Sequence, residues 1–279
     1  MSHPIVIAAP QATSLIVAHR NGEQRAVVSL DLGLSTGEAR LSADGVIFPG
    51  GEALSWAELA RIQRDAPTCF VVEGGAQRIH RFSTMLNRPY TLIATAGAPT
   101  LINSGFTMHR IVDVDPQEDT ARKLRALGAP HGTVLDTATG LGYTAIAAAR
   151  TAQVLTIEID PLVLEIARLN PWSRALFDNP RIEQRIGDTA ALIETLGDEH
   201  FTAIVHDPPT VALAGELYGG AFYDQLFRVL RRGGALFHYV GNLSSKQGGT
   251  VARGVVRRLR AAGFSGITPR PEAFGIVAR

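Results

Sequence analysis

A chain of 279 residues, 46% hydrophobic and 19% charged, is long enough for one large or two ordinary folded domains. Its 27 basic and 26 acidic residues leave a formal charge of +1, so no global field holds a polyanion, and a nucleic acid would have to meet a local patch. The one cysteine, Cys69, excludes an intrachain disulfide and a thiolate metal cluster within one chain. No apolar run approaches the roughly 18 residues of a membrane span, and no secretory signal opens the chain. A cytoplasmic protein with no membrane partner and no metal centre is therefore expected, with a homo-oligomer left open. Lysine stands only at 123 and 246, which reads as genome composition or heat adaptation rather than as a binding device.

Residues 1–114 read as a small β-rich domain and its linker. TSLIVAH, RAVVSLDLG, EARLS, VIFPG, TCFVVEG and YTLIAT are β-branched or aromatic runs broken by Gly, Pro, Asn and Asp. Asp44-Gly45 signals a hairpin, and Ser55 with Glu58 forms a capping box that opens a helix through Trp56, Leu59 and Ile62. His19 and Glu73 read as surface or core residues. Residues 102–114, INSGFTMHRIVDV, read as a linker with a flexible Ser104-Gly105 pair, whose His109 and Arg110 either fold over a ligand or make ordinary ion pairs.

Residues 115–279 read as one further domain. Asp115-Pro116 with Glu118 starts a helix through Leu124 and Leu127, stopped by Gly128. Strands predicted at 133–137, 154–159, 182–187, 202–206 and 235–240 then alternate with helices at 143–150, 161–169, 189–196, 221–231 and 250–262. Such alternation argues for a mainly parallel sheet with helices on both faces. GITPRPE and AFGIVAR supply two last strands.

The stretch 133–150, TVLDTATGLGYTAIAAAR, carries the first chemical signal. Val134 and Leu135 form a buried strand and Asp136 closes it; Gly140 and Gly142 then let backbone lie close to a ligand before Tyr143 opens a helix. Ala138 stands where a dinucleotide fingerprint has its first glycine, so a smaller nucleoside fits better than a diphosphate. In VLTIEID, Glu158 ends the next strand, near the roughly 20-residue spacing of a carboxylate that accepts from both ribose hydroxyls. Asp188 and Asp207 close the next two strands, and helix capping alone would explain an acid at only one or two of these four ends.

The string D-x-A-x-G-x-G at 136–142 resembles motif I of the class I S-adenosylmethionine-dependent methyltransferases. The resemblance implies an α/β, Rossmann-like domain with a mostly parallel seven-stranded sheet whose last strand is antiparallel. It implies S-adenosylmethionine as cofactor, with Asp136 at its amino group and Thr139, Gly140, Gly142, Tyr143 and Thr144 along its methionine end, where helix-start N–H groups favour the carboxylate. Glu158 and Ile159 would meet the ribose. Asp188 and Thr189 would lie at the adenine, with Asp188 equally suited to cap the helix that follows.

His206-Asp207-Pro208-Pro209 resembles motif IV of amino-methylating enzymes, [D/N/S]-P-P-[Y/F/W]. There the first side chain and a proline-held carbonyl accept hydrogen bonds from a target amine, and rigid prolines keep those acceptors from drifting. Thr210 replaces the aromatic ring that would stack on a nucleobase, which favours an aliphatic amine or a protein side chain over a planar base. The bland alternative is that Pro208-Pro209 only ends a strand. Glu216 and Tyr218, in the loop VALAGELYGG, are candidates for substrate contact or for a lid. Arg253, Arg257 and Arg260 share one helix face opposite Val251, Val255, Val256 and Leu259, which reads as a solvated face, an RNA-binding surface being the lesser alternative.

Taken from 115 to 279, the chain most resembles a group of predicted archaeal-type methyltransferases related to spermidine and spermine synthases. Three functions stay open. The first is methyl transfer to a nitrogen acceptor: an amine, a protein side chain or RNA. The second is aminopropyl transfer from decarboxylated S-adenosylmethionine to a polyamine, against which the G-G-G-[DE]-G turn of those enzymes is absent from TATGLGY. The third is a non-catalytic, cofactor-binding scaffold.

Overall fold

Short apolar runs punctuated by turn residues build three antiparallel sheets in the first part of the chain, in a computed structural model that describes residues 4–279. In order, the elements are β1 (Ile5–Ile7), α1 (Ala9–Arg20), β2 (Arg25–Val28), β3 (Gly37–Leu41), β4 (Gly45–Ile47), β5 (Ala53–Ser55), α2 (Trp56–Arg64), β6 (Phe70–Val72), β7 (Ala76–Arg78), β8 (His80–Ser83), β9 (Arg88–Ile93), β10 (Thr100–Asn103) and β11 (Phe106–Thr107). The sheets run β1-β6-β7, β2-β3-β4-β5 and β11-β10-β9-β8. These strands belong to a unit formed by Met1–Gln117 with Leu162–Arg174. Leu15, Leu54, Leu59, Ile62 and Phe70 are fully buried in its core.

Two expectations for this part are corrected. TSLIVAH is not a strand but the body of α1: Ala12, Leu15 and Ile16 are buried at helical spacing, and Gln11 Oε1 accepts from the Ala8 N–H at 3.0 Å at the helix start. The β-branched run misled because burial on one helix face outweighs a propensity worth only tenths of a kcal/mol per residue. Residues 102–107 are not a flexible linker either. Ser104 (φ 50°) and Gly105 (φ 87°) form the two-residue turn of the β10–β11 hairpin, both in the left-handed region such a turn requires.

The capping box stands as read. The Glu58 N–H donates to Ser55 Oγ at 3.3 Å and the Ser55 N–H to Glu58 Oε2 at 2.9 Å, satisfying two orphan donors at the start of α2. Ser55→Ala is expected to cost about 1 kcal/mol in urea unfolding; an unchanged midpoint would deny the box any net contribution.

The second unit, Glu118–Pro161 with Ala175–Arg279, holds the parallel sheet. From here the elements are α3 (Pro116–Leu127), β12 (Gly132–Asp136), α4 (Tyr143–Ala148), β13 (Ala152–Glu158), α5 (Pro161–Leu169), α6 (Arg174–Asp178), β14 (Ile182–Ile186), α7 (Thr189–Leu192), β15 (Phe201–His206), α8 (Gly220–Val229), β16 (Leu230–Tyr239), α9 (Lys246–Ala261), β17 (Thr268–Arg270) and β18 (Gly275–Ala278); α3, α5 and α6 cross the division between the units, α5 lying in the first but for Pro161. The order is β14-β13-β12-β15-β16-β18-β17, parallel through β16, with β18 antiparallel to β16 and to β17. The last strand is antiparallel, as the resemblance implied. The predicted helix at 189–196 stops early at Leu192 and passes into a 3-10 turn, and α9 starts at Lys246 because Ser245 Oγ accepts from the Gly248 N–H at 3.0 Å.

Strand order decides where a ligand sits. From β12 the chain moves one way to β13 and β14 and the other way to β15 and β16, so a crevice opens at the carboxyl ends of β12 and β15. Asp136, Glu158 and Asp207 all lie at that end of the sheet.

Candidate active site

The turn after β12 is tied to its neighbours from both sides. The Thr139 N–H donates to the Ile157 carbonyl at 2.9 Å, and the Gly142 N–H returns to the Thr139 carbonyl at 2.8 Å. Gly142 has φ 79°, and a Cβ there would lie 2.6 Å from the Leu176 side chain, so this corner is closed to other residues by conformation and space. Tyr143 and Thr144 follow in α4, Tyr143 buried and Thr144 half-buried.

Glu158, last in β13, reaches back to this turn. Its Oε2 accepts from the Gly140 N–H at 2.8 Å and its Oε1 from the Asp160 N–H at 3.1 Å. Burial pushes its carboxyl up to about 7, with those backbone N–H groups pulling the other way. Each oxygen keeps a lone pair, so the carboxylate fits a ribose diol while it braces the turn. Ile159 beside it is half-buried.

Asp136 lies at the floor. The Thr156 hydroxyl donates to its Oδ2 at 2.9 Å, which leaves the Thr139 hydroxyl to donate to Thr156 Oγ1 at 2.7 Å. Its Oδ1 is buried and, among the described residues, has no hydrogen-bond partner. Such an acceptor is costly until a donor reaches it, and a cofactor's ammonium would supply one. An adenosyl cofactor whose tail carries an ammonium thus fits the donors and acceptors present.

Burial also pushes Asp136 up to about 7, Thr156 opposing and the charges of Asp207 and Glu158 adding. Because this value lies above that of the unfolded chain, the penalty for ionising Asp136 grows as pH rises from about 4 through about 7. Asp136→Asn, which removes the penalty, is expected to gain on the wild type by on the order of 2–3 kcal/mol between about pH 5 and about pH 8. Thermal unfolding of both proteins at the two pH values checks this, and parallel stability curves would sink it.

Asp188 is exposed and accepts from the Ala190 N–H at 2.8 Å, so it does cap α7. Thr189 is buried and donates to the Thr137 carbonyl at 2.8 Å.

At the end of β15, Asp207 is held from α3. Lys123 Nζ lies 2.6 Å from Asp207 Oδ2 and 2.8 Å from Asp119 Oδ2, and 5.0 Å from the centre of the Tyr239 ring. Lys123 is 2% exposed. Its ammonium stays above the ordinary lysine value: burial pulls it down, and the two aspartates more than offset this. Burial raises the Asp207 carboxyl while Lys123 opposes the rise. The reading of Lys123 as mere composition is thereby overturned. A signal for it existed: Asp119, Thr120 and Lys123 share the buried stripe of α3 with Pro116 and Leu127, an unusual place for charge.

The prolines are braced by the loop that follows. Pro208 is buried, Pro209 and Thr210 are exposed, and the Tyr218 hydroxyl donates to the Pro209 carbonyl at 3.1 Å. Tyr218 is itself buried, whereas Glu216 is exposed on the same 3-10 turn. His206 Nε2 donates to the Leu217 carbonyl at 2.9 Å, so in the neutral ring Nδ1 accepts from the Thr137 hydroxyl at 2.7 Å. Burial holds His206 down to about 4 and His238, its ring centroid 4.4 Å away, well below the usual histidine value. This neutral pair, with Tyr223 bonded to His238 at 2.8 Å, fastens β15, β16 and the 3-10 turn into one rigid shelf. The sequence reading missed Thr137, Thr156 and His238. His109 and Arg110 belong to the other unit, where His109 bonds Thr100 Oγ1 at 3.0 Å just after β11.

A chain 42% identical over 234 residues, covering 83% of this chain and 80% of its own length, is the uncharacterized protein MJ1233 of Methanocaldococcus jannaschii. The present chain belongs to its family. No protein-family model matches the chain. Local likeness extends to a polyamine aminopropyltransferase of Mycobacterium tuberculosis, 31% identical over 124 residues, which are 42% of this chain and 23% of that one. It extends also to putrescine N-methyltransferase 2 of Nicotiana tabacum, 29% identical over 102 residues, 35% of this chain and 29% of that one. A crystal structure of spermidine synthase bound to the transition state analogue AdoDATO shares the fold at a TM-score of 0.57 and 18% identity over 71% of each chain. The chain thus shares the fold of spermidine synthase and is locally similar in sequence to an aminopropyltransferase and a putrescine N-methyltransferase. Among the described residues, no helix is long and apolar enough to cross a membrane.

Proposed function

We propose that the chain transfers a methyl group from S-adenosylmethionine to the nitrogen of an aliphatic amine. The observation that carries this reading is the braced acceptor group Asp207-Pro208-Pro209, at the end of the strand adjoining the one whose glycine turn is tied to Glu158. When bound, the cofactor's sulfonium supplies an already activated methyl carbon. Glu158 and Asp136 bind its ribose and ammonium ends; Asp207 and the Pro208 carbonyl accept the amine's N–H groups and keep its lone pair in line. Orientation of this kind is worth much of the barrier, and Asp207 can take up the proton the amine sheds. Thr210, exposed where a stacking ring would sit, favours an aliphatic amine over a base. The local likeness to a putrescine N-methyltransferase agrees with an amine acceptor.

Aminopropyl transfer is the competing reading, favoured by the likeness to a polyamine aminopropyltransferase. The residues of the turn at 137–143, TATGLGY, include no carboxylate, which leaves room for a cofactor that keeps its own. Calorimetric titration of the wild type with S-adenosylmethionine and with its decarboxylated form separates the two. Tighter binding of the carboxylated form supports methyl transfer. Preference for the decarboxylated form transfers the case to aminopropyl chemistry, and binding of neither refutes both.

A further inference from the structure

The geometry points to Lys123 as a positioning residue for this reaction: from α3 it fastens one oxygen of Asp207 and favours the ionised form of that group, leaving the other oxygen for the N–H of the substrate amine. The inference rests on the methyl-transfer reading for the identity of the substrate, but not for the state of Asp207.

Taking an ammonium out of water is costly, and nothing in the packing of α3 asks for one, since an apolar side chain would serve a stripe shared with Pro116 and Leu127. The cation is nevertheless there, in a chain whose basic residues are almost all arginine. A lysine suits the place because its ammonium is compact and its donors rotate. It meets Asp119 at 2.8 Å, Asp207 at 2.6 Å and the face of Tyr239 at 5.0 Å, contacts that a planar guanidinium would not make from the same stem.

The charge count explains the arrangement. One ammonium between two carboxylates leaves a net single negative charge at the end of β15, matched to an amine. Without Lys123, Asp207 would lose its cation while still facing the charge of Asp119, and burial would favour its protonated form. A protonated Asp207 presents a donor where the amine needs an acceptor. The groups around Asp207 are Lys123 and Asp119 from α3, Asp136 from β12, Tyr218 from the 3-10 turn and Tyr239 from β16. Asp119 opposes Lys123, so the two residues of one helix tune Asp207 in opposite directions.

The test is the titration of Asp207 in the full-length protein labelled with 13C at the aspartate carboxyl carbon, its resonance identified by its loss in Asp207→Asn. Lys123→Met is expected to raise the proton affinity of Asp207 by about a hundredfold or more, and Asp119→Asn to lower it. Lys123→Arg, which keeps the charge but not the same contacts, is expected to restore only part of the wild-type value. Should Lys123→Met fail to fold by circular dichroism, the fall in Asp119→Asn decides. A second readout is transfer of labelled methyl from S-adenosylmethionine to 1,4-diaminobutane, where Lys123→Met shifts the acidic limb of the kcat/KM profile upward by the same factor. Titrations of Asp207 that coincide in the wild type, Lys123→Met and Asp119→Asn overturn the inference, whatever the turnover. Absence of transfer by the wild type counts against the amine reading alone, since the titration needs neither cofactor nor acceptor.

Discussion

Asp207→Asn is expected to lower methyl transfer by about 10²–10⁴-fold while leaving affinity for S-adenosylmethionine within a few-fold. The reason lies in polarity. Lys123 can only donate, so the new amide must turn its oxygen to Nζ, which sits 2.6 Å from Asp207 Oδ2, and its NH₂ then occupies the acceptor side. A substrate N–H would meet a donor there. Asp207→Ala removes the acceptor too, but it leaves Lys123 buried with Asp119 alone and a void beside it. Its loss of turnover should be similar and its loss of stability larger, since breaking one arm of a buried ionic cluster costs up to about 3–5 kcal/mol. Steady-state kinetics with labelled cofactor, beside calorimetric cofactor affinity, checks both variants. Turnover within threefold of the wild type in Asp207→Asn would remove Asp207 from the reaction.

Glu158→Gln should have the complementary effect, weakening the cofactor by about a hundredfold or more. Two terms combine. The proposed charge-assisted bonds to the ribose, each worth about 1.5–3 kcal/mol, are lost, and the new NH₂ must face either the Gly140 or the Asp160 N–H, loosening the glycine turn. The wild type adds a pH signature. With Glu158 and Asp136 both raised to about 7 by burial, lowering pH through that value protonates the groups proposed to accept from ribose and ammonium, so affinity is expected to fall. The double variant Asp136→Asn/Glu158→Gln should bind weakly and without that dependence. Equal affinity of Glu158→Gln and wild type, measured by calorimetry at about pH 8, would sink the assignment.

Much of this site was legible in the residue order because its parts are local. A strand, a glycine turn and a helix start leave a mark within 133–150, and a carboxylate at a strand end is visible as Glu158 in IEID or Asp207 in HDPP. The capping box at Ser55 is equally local. Where local preference competes with burial the reading failed: TSLIVAH looks extended by its β-branched residues yet forms α1, because Leu15 and Ile16 gain more from a shared helix face than the backbone loses. Ser104-Gly105 reads as a flexible pair because a hairpin turn and a flexible pair are written in the same residues, and only the pairing of Asn103 with Phe106 tells them apart.

By itself the sequence determined the parallel sheet, the turn at 136–142, the four acids at the strand ends and the Asp207-Pro208-Pro209 string that follows the fourth strand, since each depends on neighbours a few residues away. Only the tertiary structure decided what those acids touch. It brought Lys123 across 84 positions to Asp207, linked Asp136 to Thr139 through Thr156, tied Glu158 to Gly140, and locked His206 neutral beneath the loop that carries Tyr218. Charge and proton affinity follow from burial and from partners distant in the chain, and these are properties of the packed fold.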